Sequence, residues 1–243
     1  MESTISSETA RLTRPAPGEE VDALIRVAAS PRIHHQLLDV FDRIEGDTYL
    51  DDDRKRLIAA IHGGEVHWDI CCALAAFAHT RRPARYLEIG VRRGRTACVV
   101  AAFAPRVDLF LFDMWAESYA GVPNPGPEFV VEQLRRAGHR GGVQFVTGRS
   151  QETVLAFLAN PANPRLFDLI TVDGDHRDEG ARADLDNVID HLSPGGLLVF
   201  DDIAHPKFPT LCDVWREFVD RHPELIARQN TTDSTGTAIA FRP

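Results

Sequence analysis

The sequence predicts a doubly wound α/β fold, an open and mostly parallel sheet with helices on both faces, and three observations predict it. From Arg85 onward, short apolar runs alternate with stretches of helical length, the pattern of parallel strands joined by crossover helices. The central runs, such as LFLF at 109–112 and LLVF at 197–200, are apolar at every position, as strands covered on both faces are. The first run, Tyr86 to Ile89, stops at a turn carrying Gly90 and Gly94 and leads into a helix-like run from Thr96 to Ala104. A strand, a tight glycine turn and a helix N-terminus together form a ligand-binding crevice.

Residues 1–19 are polar and carry Pro15, Pro17 and Gly18, the composition of a flexible arm. Residues 20–82 read as a helical N-terminal cap. Val21, Leu24, Ile25 and Ala28 fall at helical spacing, as do Ile33, Leu37, Leu38 and Phe41. A third segment runs through Leu57, Ile58 and Ile61, with Asp51, Asp52 and Asp53 ahead of it supplying the negative charge a helix N-terminus favours. The fourth, Trp68 to His79, is apolar enough to be buried. Residues 83–243 form the α/β domain. Its expected strands are Tyr86–Ile89, Val107–Asp113, Val143–Thr147, Phe167–Asp173, Leu197–Asp201, Leu225–Gln229 and Thr237–Phe241. Its expected helices are Thr96–Ala104, Glu128–Ala137, Gln151–Ala159, Ala181–Leu192 and Leu211–Arg221. Only a turn-rich link, Asn230 to Gly236, joins the last two strands, which predicts an antiparallel pair.

The formal net charge of −9 speaks against a nucleic-acid partner, whose backbone needs a basic face. No apolar run is long enough to span a membrane, and MESTISSETARLTR lacks the apolar core of a secretory signal. Cys71, Cys72, Cys98 and Cys212 show neither C-x-x-C nor zinc spacing. They read as reduced thiols of a cytoplasmic protein.

Ligands of an open parallel sheet bind beyond the carboxyl ends of its strands, and here most strands end in acidic or polar residues. Glu88 and Gly90 close the first. A carboxylate there repels a pyrophosphate but suits a cationic ligand, and the two-glycine turn lacks the G-x-G-x-x-G spacing of dinucleotide binders. Both features favour S-adenosylmethionine over a nicotinamide cofactor. Asp113 ends the second strand, placed to accept hydrogen bonds from a ribose diol or to cap a turn. Trp115 follows, a cover for an adenine or a substrate, or a core aromatic. The third strand leads into Ser150 and Gln151; the fourth ends at Asp173, Asp175 and His176; the fifth ends at Asp201 and Asp202, with His205 beyond.

These motifs resemble the class I S-adenosylmethionine-dependent methyltransferases over about Arg85 to Pro243, with their Rossmann-like seven-stranded sheet. LEIGVRRGRT resembles the glycine-turn motif, VDLFLFD the second-strand acid, and VTGRSQETV the segment of the catechol O-methyltransferase branch whose Ser-Gln pair lies beside adenine. LSPGGLLVFDDI resembles the late Pro-Gly-Gly strand, and VDGDH followed by FDD resembles the branch that methylates small-molecule hydroxyls, natural-product sugars among them, with a divalent metal. The resemblance implies cofactor contacts from Glu88, Gly90, Gly94, Thr96, Asp113, Ser150, Gln151 and Asp173.

Asp173, Asp201 and Asp202 are expected on neighbouring strand ends, where three carboxylates repel one another unless a cation or protons compensate. Magnesium favours oxygen ligands and leaves positions open for substrate, and a bound hydroxyl loses its proton more easily. These three are the expected metal ligands. The proton acceptor is His176, which titrates near neutrality, or Asp175, which fits the base position that the sugar-methylating branch implies, with His205 as a third candidate. The lysine of the catechol branch is absent from Asp175-His176-Arg177-Asp178. The expected enzyme moves a methyl group to a small-molecule hydroxyl, with the N-terminal helices covering the crevice or forming a homo-oligomer interface. The alternatives are a nicotinamide-dependent oxidoreductase and a non-catalytic partner protein that kept the fold.

Overall fold

The structure, a computed structural model, describes residues 16–46, 48–119, 122–232 and 235–243. Most of the expected arm, residues 1–15, lies outside the described residues, and residues 17–19 open the first helix instead. Pro17 stands in that helix's first turn, where its missing N–H costs nothing. Four helices precede the sheet: α1 (Pro17–Ala28), α2 (Pro31–Phe41), α3 (Thr48–Gly63) and α4 (Ile70–Arg81). Then come β1 (Arg85–Ile89), α5 (Arg95–Phe103), β2 (Asp108–Asp113), a short hairpin of β3 (Ser118–Tyr119) and β4 (Val122–Pro123), α6 (Pro127–Ala137) and β5 (Val143–Thr147). The chain closes with α7 (Ser150–Ala159), β6 (Phe167–Val172), α8 (Asp178–Ile189), β7 (Leu192–Asp201), α9 (Leu211–Arg221), β8 (Ile226–Asn230) and β9 (Thr237–Phe241).

The seven-stranded sheet runs β5-β2-β1-β6-β7-β9-β8. β5, β2, β1, β6 and β7 are parallel, while β9 pairs antiparallel with both β7 and β8. The order reverses at β1, so the crevice opens over the carboxyl ends of β1 and its neighbours. Alternate residues of each strand feed two cores. Tyr86, Leu109, Leu111, Leu169, Leu197 and Val199 face α1, α2, α4 and α5. Leu87, Phe110, Phe112, Ile170, Leu198 and Phe200 face α7, α8 and α9. α4 is buried from Ile70 to Ala78, as its all-round apolar sequence foretold. Among the described residues no helix is long and apolar enough to cross a membrane.

Three expected elements shift, each for a physical reason. β7 begins at Leu192, which the apolar spacing assigned to the preceding helix; Leu192 instead pairs with Phe167, and an irregularity then moves the register so that Leu197 meets Leu169. α8 begins at Asp178, with Asp178 and Glu179 in its first turn. Gly180 lies in that first turn, where a Cβ would come within 2.2 Å of the Asp175 carboxylate. α3 begins at Thr48, so Asp53 falls beyond its first turn. Rather than serving the helix dipole, Asp53 is 4% exposed and accepts hydrogen bonds from Arg95 of α5 (2.6 Å) and Arg56 (2.9 Å).

Candidate active site

The glycine turn after β1 has room only for glycine at its start. Gly90 has φ 91°, and a Cβ there would sit 1.9 Å from the Asp173 carbonyl oxygen. The turn therefore lies directly against the end of β6. Gly94 caps α5 in the left-handed conformation, φ 75°. Three of the four described non-glycine residues with positive φ also follow strand ends on this edge: Arg92 after β1, Trp115 after β2 and Asp202 at the end of β7. Such conformations cost about 1–3 kcal/mol each and concentrate where side chains must be aimed.

Glu88 faces the α4–α5 side of the sheet and is wholly buried. Thr96 donates its hydroxyl to Glu88 Oε1, while Oε2 is buried with no hydrogen-bond partner among the described residues. Burial pushes the Glu88 carboxyl up to about 8, helped by the nearby carboxylates of Asp173 and Asp113. A buried acid with an oxygen left over fits a cationic or hydrogen-bond-donating ligand above the turn. Asp113 organises the same edge from β2: its Oδ2 accepts from the Arg92 backbone N–H (2.7 Å) and its Oδ1 from that of Trp115 (2.6 Å). The turn-capping duty weighed for Asp113 is thus present, and each oxygen keeps a further lone pair for a ribose. Trp115 packs edge-on against Phe145, with ring centroids 5.9 Å apart.

The loops after β6 and β7 bring Asp173, His176 and Asp202 together, with one ligand atom of each within 4.8 Å of the others. His176 Nε2 lies 2.7 Å from Asp202 Oδ2 and 3.6 Å from Asp173 Oδ1, and its ring stacks on Phe208 at 4.7 Å. Burial alone would lower the His176 pKa, but the two carboxylates outweigh it and push it up to about 10. Burial raises the Asp173 carboxyl, and the Asp202 charge adds to that. Asp202 is held below its ordinary value because His176 and Thr235 outweigh its own burial.

Asp201, expected with these residues, is placed differently. It is 7% exposed and accepts a hydrogen bond from Thr237 of β9 at 2.8 Å. Burial raises it well above the carboxylate range, with Asp173 and Asp202 contributing. It therefore feels the cluster's charge but lies outside the triplet. Asp175 also turns away: Arg177 donates to it through its backbone N–H (3.0 Å) and its Nε (2.9 Å), and the carboxyl is held below its usual range. His205 Nδ1 accepts from the Lys207 backbone at 3.0 Å.

Ser150 and Gln151 open α7 on this same edge, and both donate to Asp184 of α8, at 2.9 and 3.4 Å. Asp184, Asp53 and Arg95 are site neighbours that the sequence reading does not single out. Nothing local marks them, because the partners that bring them to this edge, Ser150 and Gln151 for Asp184 and Arg95 for Asp53, lie 33 or more residues away. Arg95 reaches the crevice beside Gly90, Thr96 and Asp173, where Tyr49 and Leu50 from the N-terminal helices form the facing wall. A second titratable group, His67, Asp69 and Cys72, is buried beneath the cap. There Asp69 accepts from the Cys72 backbone N–H at 2.9 Å as the N-cap of α4.

Residues 87–203 match the model of a methyltransferase-domain family. No curated protein matches the chain. Among solved structures, an S-adenosylhomocysteine-bound methyltransferase from Podospora anserina is 15% identical, with TM-score 0.56 and 100% of both chains covered. The O-methyltransferase TomG from Streptomyces achromogenes, involved in tomaymycin synthesis and solved with S-adenosylmethionine, is 23% identical, with TM-score 0.53, covering 82% of this chain and 91% of that one. CalS11, a TDP-rhamnose 3'-O-methyltransferase of calicheamicin biosynthesis, is 20% identical, with TM-score 0.54 and coverage of 94% and 96%. At these identities the likeness is one of fold.

Proposed function

We propose that this chain, whose residues 87–203 match a methyltransferase-domain family, transfers the methyl group of S-adenosylmethionine to a hydroxyl of a small molecule, assisted by a divalent metal such as magnesium. One observation carries the reading: the glycine turn with its buried acid Glu88 abuts the loop that holds Asp173 and His176. Donor and acceptor sites therefore share one wall.

When bound, S-adenosylmethionine supplies a methyl group on a sulfonium, and the acceptor oxygen displaces the neutral thioether in line. The residues present fit that cofactor: Glu88 offers a buried acceptor oxygen, Gly90 and Gly94 a close backbone approach, Asp113 lone pairs for the ribose, and Ser150 with Gln151 the adenine side. A divalent cation, when bound, supplies a Lewis acid that lowers the pKa of the acceptor hydroxyl. Asp173 and Asp202 are the carboxylates proposed to hold it, and Asp201, which feels the charge of both, is the third candidate. His176, whose ring Asp202 orients, is the proposed acceptor of the hydroxyl proton; the two carboxylates hold the ring protonated up to about pH 10 in the ligand-free protein, so only its deprotonated form takes that proton and turnover rises with pH. Of the two candidate bases, His176 is favoured because its ring lies among Asp173 and Asp202, whereas the Asp175 carboxylate is engaged by Arg177.

The walls of the crevice orient both partners and exclude water, which is where such single-displacement catalysis gains most. Sugars and other natural-product intermediates are the acceptor class we favour, in keeping with what TomG and CalS11 are named for. The cap helices are proposed as the homo-oligomer surface, the four free thiols suit a reducing cytoplasm, and the acidic chain fits neither a nucleic-acid nor a membrane partner. The test is a mass-spectrometric screen of hydroxylated acceptors with isotopically labelled cofactor, with and without magnesium. Full turnover after chelation would remove the metal and leave a His176-based reaction.

A further inference from the structure

Asp184 is the least expected residue on the α8 face. Its neighbours on that stripe, Ala181, Leu185 and Val188, are buried apolar side chains packed under the sheet, and Asp184 is buried as completely as they are. Burying a carboxylate there costs free energy that an apolar side chain would not, so its hydrogen bonds have to account for it. The carboxylate is engaged on two sides. On one side, Ser150 Oγ donates to Oδ2 at 2.9 Å and Gln151 Nε2 lies 3.4 Å from Oδ1, both from the first turn of α7. On the other, it faces the Asp175 backbone, whose amide offsets part of the rise in its pKa that burial causes. A Cβ on Gly174 would come within 3.3 Å of Oδ2, so the main chain between Asp173 and Asp175 rests against it.

One carboxylate thus ties together two segments that the sheet does not hydrogen-bond to each other. β5, which leads into α7, and β6 are separated by β2 and β1. We infer that Asp184 is a positioning residue that sets the cofactor's adenine side, Ser150 and Gln151, against the loop that presents Asp173 and His176 for methyl transfer. The inference rests on the methyltransferase reading. Both Asp184 oxygens are already engaged, by Ser150 and Gln151, so its effect on binding passes through the groups it holds.

The test is titration calorimetry of the full-length protein with S-adenosylhomocysteine, comparing wild type with Asp184→Ala, Asp184→Asn, Ser150→Ala and the Asp184→Ala/Ser150→Ala double variant. Asp184→Ala should weaken binding by roughly 10-fold or more, the size expected when hydrogen bonds to a charged group are lost. Asp184→Asn keeps one acceptor oxygen and should recover most of that loss. The double variant should bind about as weakly as Asp184→Ala alone, because both changes cut the same tie. Once an acceptor is known, kcat should fall with KM for the cofactor rising, whereas a purely structural role would lower only the melting temperature. Native circular dichroism with wild-type affinity in Asp184→Ala overturns the inference. If that variant does not fold, Asp184→Leu, which fills the same space among apolar neighbours, decides: wild-type affinity overturns the tie, and weakened affinity with native stability supports it. Failure of the wild type itself to bind S-adenosylhomocysteine would instead remove the methyltransferase reading on which the inference stands.

Discussion

Replacing Glu88 by Gln should stabilise the ligand-free protein and loosen its hold on the cofactor at the same time. The Glu88 carboxyl has a folded pKa of about 8 against an ordinary 4.5. Between those values the unfolded chain has released a proton that the native chain still keeps. Its contribution to stability is therefore complete below pH 4.5 and is lost as pH rises to about 8. At about 1.4 kcal/mol for each pH unit, the loss is ~3 kcal/mol by neutral pH. Gln cannot ionise and escapes this loss, less about 1 kcal/mol for a buried amide that is imperfectly paired. The net gain near pH 7 is ~2 kcal/mol, or about 4–8 °C in melting temperature for a chain of this size. Scanning calorimetry of wild type and variant without cofactor, from about pH 4 to about pH 9, measures it directly. The difference should vanish or reverse near pH 4 and grow toward pH 8. A melting-temperature difference that does not change with pH would refute the reasoning, because it would show that Glu88 is ionised in the native state.

Asp53→Ala should cost about 3–5 kcal/mol, because it strips the partly buried Arg95 of its 2.6 Å partner; a melting temperature within 2 °C of wild type, on the order of 1 kcal/mol, would count against that pairing. Asp113→Ala should weaken S-adenosylmethionine binding by roughly 1–3 kcal/mol in calorimetry, since it removes the proposed ribose acceptor and leaves the Arg92 and Trp115 backbone N–H groups without their acceptor. His176→Ala should lower kcat by about 10²–10⁴ with cofactor affinity retained, and unchanged turnover would move the base to Asp175, His205 or solvent. Asp202→Ala should abolish magnesium-dependent turnover, whereas Asp201→Ala should also lower the melting temperature because Thr237 loses its acceptor.

Much of this protein was legible in one dimension. The alternation from Arg85 onward located all seven strands of the main sheet, because strand and helix periods differ and a doubly covered strand must be apolar throughout. The antiparallel ending followed from a link too short for a crossover helix. The glycine turn, Glu88, Asp113 and Asp173 could be placed on the ligand edge because position at a strand's carboxyl end is itself a sequence property. Short elements escaped this logic: the β3–β4 hairpin spans too few residues to show a period, and Leu192 looks alike at the end of a helix and the start of a strand.

What the sequence by itself determined was which residues could reach the crevice; which of them meet there was decided by the tertiary structure. Adjacent residues leave a strand end in different directions, so Asp202, with φ 62°, joins His176, while Asp201 turns to Thr237 of β9. Asp175 and His176 are likewise neighbours with separate partners, Arg177 for one and the two carboxylates for the other. Asp53 with Arg95, and Asp184 with Ser150, carry no local signal, since each pair is brought together from separate elements. A linear chain records charge and periodicity, but the environment that decides whether a carboxylate caps, pairs or binds a ligand exists only after distant segments have packed around it.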